Sequence, residues 1–183
     1  MNYCSHCGHA IKLQIPQGDD RKRHCCDSCG SIHYFNPRII VGCLPVWEDR
    51  ILLCKRGIEP RLGYWTLPAG FMELGETTEQ GAIRETWEES RAEVDIERLH
   101  GIYNIPHIDQ VYFIYLARMR SPKFETTPES SQIELMRIQD IPWDGLAFRV
   151  MNEALKNYIE DKPPAFTEVH HAEIKPGQQV HHK

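Results

Sequence analysis

The apolar positions of this chain change period along its length, and the changes mark out its elements. Residues 38–47 and 51–56 are strand-like runs separated by the polar pair Glu48-Asp49, the form of a hairpin. Residues 94–105 and 111–119 read as two further strands, the second rich in aromatic and β-branched side chains, with 106–109 as their connection. A strand is expected around 133–138, after a polar, proline-containing surface loop at 121–131, and a turn follows at 140–143. Helical period appears twice. Over 148–159 the apolar set is Val150, Met151, Ala154, Leu155 and Tyr158. Over 78–90, Ala82, Ile83, Thr86 and Trp87 form the expected packing side, and Glu85, Glu88 and Glu89 fall on roughly the opposite side. Thr77, followed three residues later by Gln80, has the form of a capping box for that helix. Near the N-terminus, 11–15, His24 and 32–35 read as short strands around a polar hairpin at 16–20, and Asn36-Pro37 marks a boundary.

The three glutamates raise the first chemical question. Residues three and four apart on a helix are neighbours, and like charges there cost a few tenths of a kcal/mol each when solvated. A solvated acidic face would tolerate that. A cation among the carboxylates would relieve it, and hard oxygen ligands with room for water and phosphate suit Mg²⁺ or Mn²⁺. The preceding text favours the cation. Leu67-Pro68-Ala69-Gly70 reads as a short strand broken by a tight turn, and Leu74-Gly75-Glu76 as a loop leading into the cap. The spacing Gly70, five residues, Glu76, seven residues, Arg84-Glu85, two residues, Glu88-Glu89 resembles the Nudix box, and Trp65 to Gly70 resembles its lead-in strand. Arg91 stands where that family usually has a glycine closing the helix. On these residues the chain is identified as a member of the Nudix hydrolases.

Size and charge are compatible with that class. The 183 residues suit one ordinary domain plus a small module, and four Trp with seven Tyr supply large apolar bodies. A net charge of −5, with both signs interspersed, argues against a general nucleic-acid or anionic-membrane binder. No apolar run approaches the roughly 18 residues of a membrane span. Met1 leads into a cysteine motif by Cys4, leaving no room for a leader, so a cytoplasmic protein is expected.

Seven cysteines are present, and four of them make two matching knuckles, Cys4-Ser5-His6-Cys7-Gly8 and Cys26-Asp27-Ser28-Cys29-Gly30, eighteen residues apart. This is the spacing of a tetrahedral zinc site, and a reducing compartment disfavours the competing disulfide framework. Cys25 adjoins Cys26, but only Cys26 keeps the offset to Cys29 and Gly30 that Cys4 has to Cys7 and Gly8. Cys43 and Cys54 lie in strand patterns and read as buried small hydrophobes. The expected zinc is structural, replacing a core that some thirty residues cannot build.

The resemblance implies a Nudix mixed-sheet α/β/α sandwich over 37–162, preceded by a zinc ribbon over 1–36; the stretch after Asp161, with Pro163-Pro164, Pro176 and several His, reads as a flexible tail over 163–183. It implies Mg²⁺- or Mn²⁺-dependent hydrolysis of a diphosphate, with Glu85 and Glu89 among the metal ligands and the Ala69 carbonyl as an extra one. Glu88 would bind metal or act as base, Arg84 would orient a carboxylate, and Glu76 would anchor the loop at the helix N-terminus. Where many members carry a late acidic ligand or base this chain offers Gln132, with Glu129 and Glu134 close by. A ribbon ahead of a Nudix domain resembles the bacterial NADH pyrophosphatases, but their Ser-Gln-Pro-Trp-Pro-Phe-Pro signature is missing from Gly101 to Gln110. Residues 36–56 and 63–71, Pro128-Glu129-Ser130 and the stretch from Ile141 to Phe148 resemble instead the plant plastid FAD and ADP-ribose pyrophosphatases and their bacterial relatives. That implies a small-molecule nucleoside diphosphate substrate, ADP-ribose or FAD, with no nucleic acid and no membrane as partner, and allows a homodimer. The alternatives are an NADH pyrophosphatase and, in a different class, an RNA-binding or decapping protein that uses the ribbon. Arg56, and less so Arg61, are candidates to meet phosphate; Trp65, Tyr112 or Phe113 could stack on a base, though strand aromatics are more often core.

Overall fold

The computed structural model describes residues 1–161 and 168–176. It divides into two compact units, Met1–Asn36 and the chain from Pro37 onward.

In the first unit β1 (Lys12–Gln14), β2 (Arg23–Cys25) and β3 (Ile32–His33) form an antiparallel sheet in that order. Strands this short bury almost nothing: Cys4, Cys25 and Cys26 are the buried hydrophobic side chains of the unit. The two knuckles fold alike. Gly8 and Gly30, at φ 76° and 72°, take the left-handed turn that a side chain disfavours. Each then donates its N–H to the first cysteine of its knuckle, Gly8 to the Cys4 carbonyl and Gly30 to the Cys26 carbonyl, both at 2.9 Å.

The second unit runs β4 (Arg38–Trp47), β5 (Arg50–Arg56), β6 (Trp65–Thr66), β7 (Ala69–Phe71), α1 (Thr78–Ser90), β8 (Val94–Ile105), β9 (Gln110–Met119), β10 (Ser130–Arg137), α2 (Arg149–Glu160) and β11 (His170–Glu173). The main sheet has the order β10-β5-β4-β9-β8-β11, with β6 on β5 and β7 on β4. β4 with β9 and β8 with β11 are parallel, and the other pairs are antiparallel. The strands read as long apolar runs because both faces are covered. On β9, Tyr112, Ile114 and Leu116 join Val150, Met151, Ala154 and Leu155 of α2 in one core. Between them Tyr115 and Ala117 join Ala82 of α1 in the other. Fully burying a leucine such as Leu155 or Leu52 is worth about 1.5–3 kcal/mol. Among the described residues no helix is long and apolar enough to cross a membrane.

Helix α1 starts as its capping box requires: Thr77 accepts from the Gln80 N–H at 3.1 Å, and the Thr77 N–H donates to Gln80 Oε1 at 2.8 Å. It ends without glycine. Arg91 takes the left-handed conformation (φ 57°), its N–H bonds the Trp87 carbonyl at 2.7 Å, and its guanidinium lies 4.1 Å from the Trp87 ring centroid. That cation–π contact, about 0.5–1 kcal/mol at an exposed site, offsets much of the roughly 1–2 kcal/mol cost of the backbone. The packing face differs from the expected one. Ile83 and Trp87 are exposed, and the buried stripe is Gly81, Ala82, Thr86, Glu89 and Ser90. Residues 82, 86 and 89 follow the i, i+4, i+7 rule, so Glu89 sits on the sheet-facing stripe and not opposite it.

The chain after Asp161, read as a flexible tail, also differs where it is described. His170–Glu173 adds a parallel strand to the open edge of β8, and Ile174 is buried in the α2-side core, its N–H bonding the Asn104 carbonyl at 2.8 Å. A His-His-Ala-Glu strand has weak local propensity, so it is fixed by the pairing edge and the Ile174 anchor, neither visible locally. Residues 162–167 and 177–183 lie outside the described residues. Beneath β11, burial lowers the His100 imidazole to about 4.

Candidate active site and metal centres

The second unit contains a cavity of about 740 Å³ whose lining includes Glu85, Glu88, Glu89, Glu129, Arg56 and Tyr112. Its floor forms where β7 passes under α1. At Gly70 a Cβ would overlap the Glu85 carboxylate, so the strand reaches the helix only because that side chain is missing.

Arg84 stands at the centre of the acidic cluster. Its Nε and Nη2 grip both oxygens of Glu76 at 3.0 and 2.8 Å, and Nη1 reaches Glu85 at 2.7 Å and Glu88 at 2.9 Å. Nη2 also donates to the Phe71 carbonyl at 3.0 Å. One planar fork thus ties the loop before the helix to two helix carboxylates. The guanidinium and the Glu73 N–H hold the Glu76 carboxyl down to about 2. Arg84 thus touches three carboxylates, and Glu76 also accepts from the Glu73 N–H of the preceding loop at 2.7 Å.

The charges do not balance locally. Burial raises Glu85 above the ordinary carboxylate range, against the pull of Arg84. Glu89 is pushed up to about 8, first by burial and then by the charges of Glu85 and Glu129, while Arg56 and the Ala69 backbone pull it down only in part. Carboxylates forced together out of water, with oxygen atoms only, are a donor set that suits a hard divalent cation.

Other expected residues fall in different places. Arg56 lines the cavity, its Nε donating to the Pro60 carbonyl at 2.7 Å and its guanidinium 5.2 Å from the Phe148 ring centroid. Arg61 and Ala69 line it too. Tyr112 faces it, while Phe113 packs on the α1 side of the sheet and Trp65 packs against the α2-side core. Gln132 is not among the lining residues: it bonds Lys55 at 3.4 Å and Glu134. The late acidic residue that reaches the cavity is Glu129, held by its own carbonyl accepting from the Gly57 N–H at 2.7 Å. The sequence places Gln132 at the late position, with Glu129 and Glu134 close by, and leaves the choice open; the irregular register of β10 between Ser130 and Gln132 is not legible from residue types. His107, Arg149 and Lys175 also line the cavity and were not expected.

In the first unit the Sγ atoms of Cys4, Cys7, Cys26 and Cys29 all lie within 4.8 Å of one another, with Cys4–Cys29 at 3.7 Å and Cys7–Cys26 at 3.5 Å. Sulfurs on tetrahedral arms of about 2.3 Å stand about 3.8 Å apart, so the cluster fits zinc. Surrounding donors suit thiolates: the His6 N–H points at Cys4 Sγ (3.4 Å) and the His33 ring lies 3.3 Å from it. The Ser31 hydroxyl and backbone hold the Cys29 thiol down to about 6. Cys25 stays outside, its Sγ near the Gln14 and Arg23 carbonyls at 3.9 and 3.6 Å. Cys43 and Cys54 are buried in the α1-side core, as expected.

Comparison with known proteins agrees with both units. The Nudix N-terminal zinc-ribbon family model matches residues 2–35, and the NUDIX domain model matches residues 36–158. The chain belongs to the Nudix hydrolase family, as an enzyme with a zinc ribbon ahead of the hydrolase domain. A crystal structure of a NUDIX hydrolase from Nitrosomonas europaea superposes with a TM-score of 0.91 at 47% identity, covering 95% of this chain and 99% of that one. An ADP-ribose pyrophosphatase of Methanocaldococcus jannaschii is 27% identical over 133 residues, 70% of this chain and 77% of the relative. An NAD-capped RNA hydrolase, NudC, of Edwardsiella ictaluri is 38% identical over 94 residues, 50% of this chain and 34% of the relative. The match thus spans only about a third of that NudC protein's length.

Proposed function

We propose that the cavity hydrolyses the diphosphate bond of a nucleoside diphosphate derivative, ADP-ribose or FAD, releasing AMP and a phosphorylated product. The observation that carries this reading is that Glu85, Glu88, Glu89, Glu129 and Arg56 converge on one cavity large enough for such a ligand. Glu85, Glu89 and the Ala69 carbonyl would hold Mg²⁺ or Mn²⁺. Glu88 would serve as a further ligand or as base, and Glu129 takes over the late acidic role for which the sequence offered Gln132. A cation bound there would neutralise the bridging oxygens and acidify an attacking water. The chain's own part is positioning: Arg84 fixes the carboxylates, Arg56 is pre-ordered by Pro60 and Phe148 to meet phosphate, and Tyr112 gives the cavity an apolar wall. The ribbon would hold one structural Zn²⁺ on Cys4, Cys7, Cys26 and Cys29, in a cytoplasmic protein whose thiols stay reduced.

The substrate preference rests on the connection between β8 and β9. His107, Ile108 and Gln110 line the cavity where the NADH-pyrophosphatase signature would fall, so the departure lies on the ligand-facing wall. A panel measuring kcat/KM with product identification should favour ADP-ribose or FAD over NADH. The difference should be modest, since all three share the adenosine diphosphate half and a contact or two with the far moiety is worth about 1–3 kcal/mol. The likeness to NudC, an NAD-capped RNA hydrolase, supports a second reading, cleavage of the diphosphate of an NAD-type moiety, free or at an RNA end; a preference for NADH or for NAD-capped RNA beyond about tenfold would move the chain there.

Cation binding should depend on pH through Glu89. Its carboxyl is raised from the ordinary 4.5 to about 8, so near neutrality the metal-free site holds a proton that the cation must displace. Affinity for Mn²⁺ should therefore rise with pH, by up to about tenfold per unit, and level off above about 8. Calorimetry in buffers of different ionisation enthalpy should find about one proton released per ion near pH 6 and almost none near pH 9.5. An affinity flat over that range would exclude Glu89 as a ligand.

A further inference from the structure

Away from the cavity, three side chains from three elements converge beneath the edge strand. His100 of β8, Asp161 just after α2 and His170 of β11 place their ligand atoms within 4.8 Å of one another. His100 is fully buried, and its Nε2 lies 2.9 Å from the Ala154 carbonyl. A carbonyl only accepts, so Nε2 carries the proton and Nδ1 presents its lone pair inward. Among the described residues this buried Nδ1 has no hydrogen-bond partner; Asp161 Oδ2 stands 3.8 Å away. Asp161 Oδ1 accepts from His170 Nε2 at 2.8 Å, and Oδ2 from Arg98 at 2.6 Å.

The arrangement leaves a lone pair facing a carboxylate oxygen with nothing bonded between them, and buried acceptors are rarely left so. An imidazole whose far N–H is fixed by a backbone carbonyl, beside a carboxylate and a second imidazole, is the usual environment of a metal-bound histidine. Ligand atoms on tetrahedral arms of about 2.0–2.2 Å stand about 3.3–3.6 Å apart, between the two separations seen here. We propose that His100 Nδ1, Asp161 and His170 Nε2 form a second zinc-class site, separate from the cysteine cluster, that clamps β11 to β8 and to the end of α2. On binding, His170, whose side chain is partly exposed, shifts its proton to Nδ1, Asp161 turns Oδ1 from that hydrogen bond to the ion, and Arg98 keeps Oδ2. The clamp bears on the cavity because β11 runs directly into Ile174, Lys175 and Pro176, which line it, and Arg149 Nη1 bonds the Lys175 carbonyl at 2.9 Å.

Metal content tests this without reference to activity, so its failure and the failure of the diphosphatase reading are distinguishable. The Glu89→Gln chain, whose carboxylate cavity is disabled, equilibrated with Zn²⁺ in excess Mg²⁺ and freed of loose ion, should carry two zinc ions, and Glu89→Gln/His170→Gln only one, the ribbon ion serving as internal standard. Adding His181→Gln/His182→Gln to the Glu89→Gln chain should still leave two, which separates this site from adventitious binding by other histidines. In the Glu89→Gln chain with excess Mg²⁺, Co²⁺ should load in two steps, one with thiolate charge-transfer absorption and one without, the second lost with His170→Gln. One zinc per Glu89→Gln chain, two retained in Glu89→Gln/His170→Gln, or a single cobalt step would overturn the proposal and leave a hydrogen-bonded latch in its place.

Discussion

Replacing Glu89 with glutamine should lower kcat by at least about a hundredfold at saturating Mg²⁺ while the fold stays intact. The side chain belongs to the buried stripe of α1, so an isosteric amide keeps the packing with Ala82 and Thr86 and removes only the charge. That charge is costly in the metal-free chain. A carboxyl raised to about 8 is stable as the acid, so the stability it contributes is present at low pH and is lost as pH rises from about 4.5 through 8. Metal-free Glu89→Gln should therefore melt at the same temperature as wild type in acid and higher near pH 9. The gain in melting temperature that Mg²⁺ gives wild type should shrink in the variant. Turnover close to wild type would reject Glu89 as part of the cation site.

Cys26→Ser should release the ribbon metal and unfold residues 1–36, whereas Cys25→Ser should do neither. The three ribbon strands are two or three residues long, and the buried hydrophobic side chains of the unit are cysteines, so no apolar core remains once the metal leaves. Structural zinc contributes about 10–16 kcal/mol of apparent binding energy in small zinc modules, far beyond what these strands supply. Cys25 is equally buried but makes only long contacts to two carbonyls, and serine can replace them. The readouts are the thiolate charge-transfer band of the Co²⁺-loaded protein and limited proteolysis of the N-terminal unit. Loss of the band in Cys25→Ser, or its survival in Cys26→Ser, would reverse the ligand choice.

Much of this fold is written locally. The capping box at Thr77 and Gln80 sets the start of α1, and the alternation along β9 sends successive side chains into two cores. The cysteine knuckles were equally legible, because their chemistry depends on short-range spacing. What escaped depends on partners distant in sequence. Glu89 is buried because α1 lies on β7 and β4, and nothing in the helix text says which flank of an amphipathic stripe the sheet will cover. Glu129 reaches the cavity from the loop before β10, its carbonyl held by the Gly57 N–H, while Gln132, beyond a register irregularity on that strand, does not line it. The edge strand β11 has little propensity of its own, and His100, Asp161 and His170 meet only once that strand has paired.

The central claim, that this cavity cleaves the diphosphate of an adenosine diphosphate derivative, is tested most directly by product analysis of the ADP-ribose reaction in ¹⁸O-labelled water. The account predicts AMP and ribose 5-phosphate in equal amounts, label in one of the two phosphates, an absolute need for Mg²⁺ or Mn²⁺, and loss of both products in Glu89→Gln. Release of orthophosphate from mononucleoside triphosphates, with ADP-ribose, FAD and NADH all left intact, would contradict it.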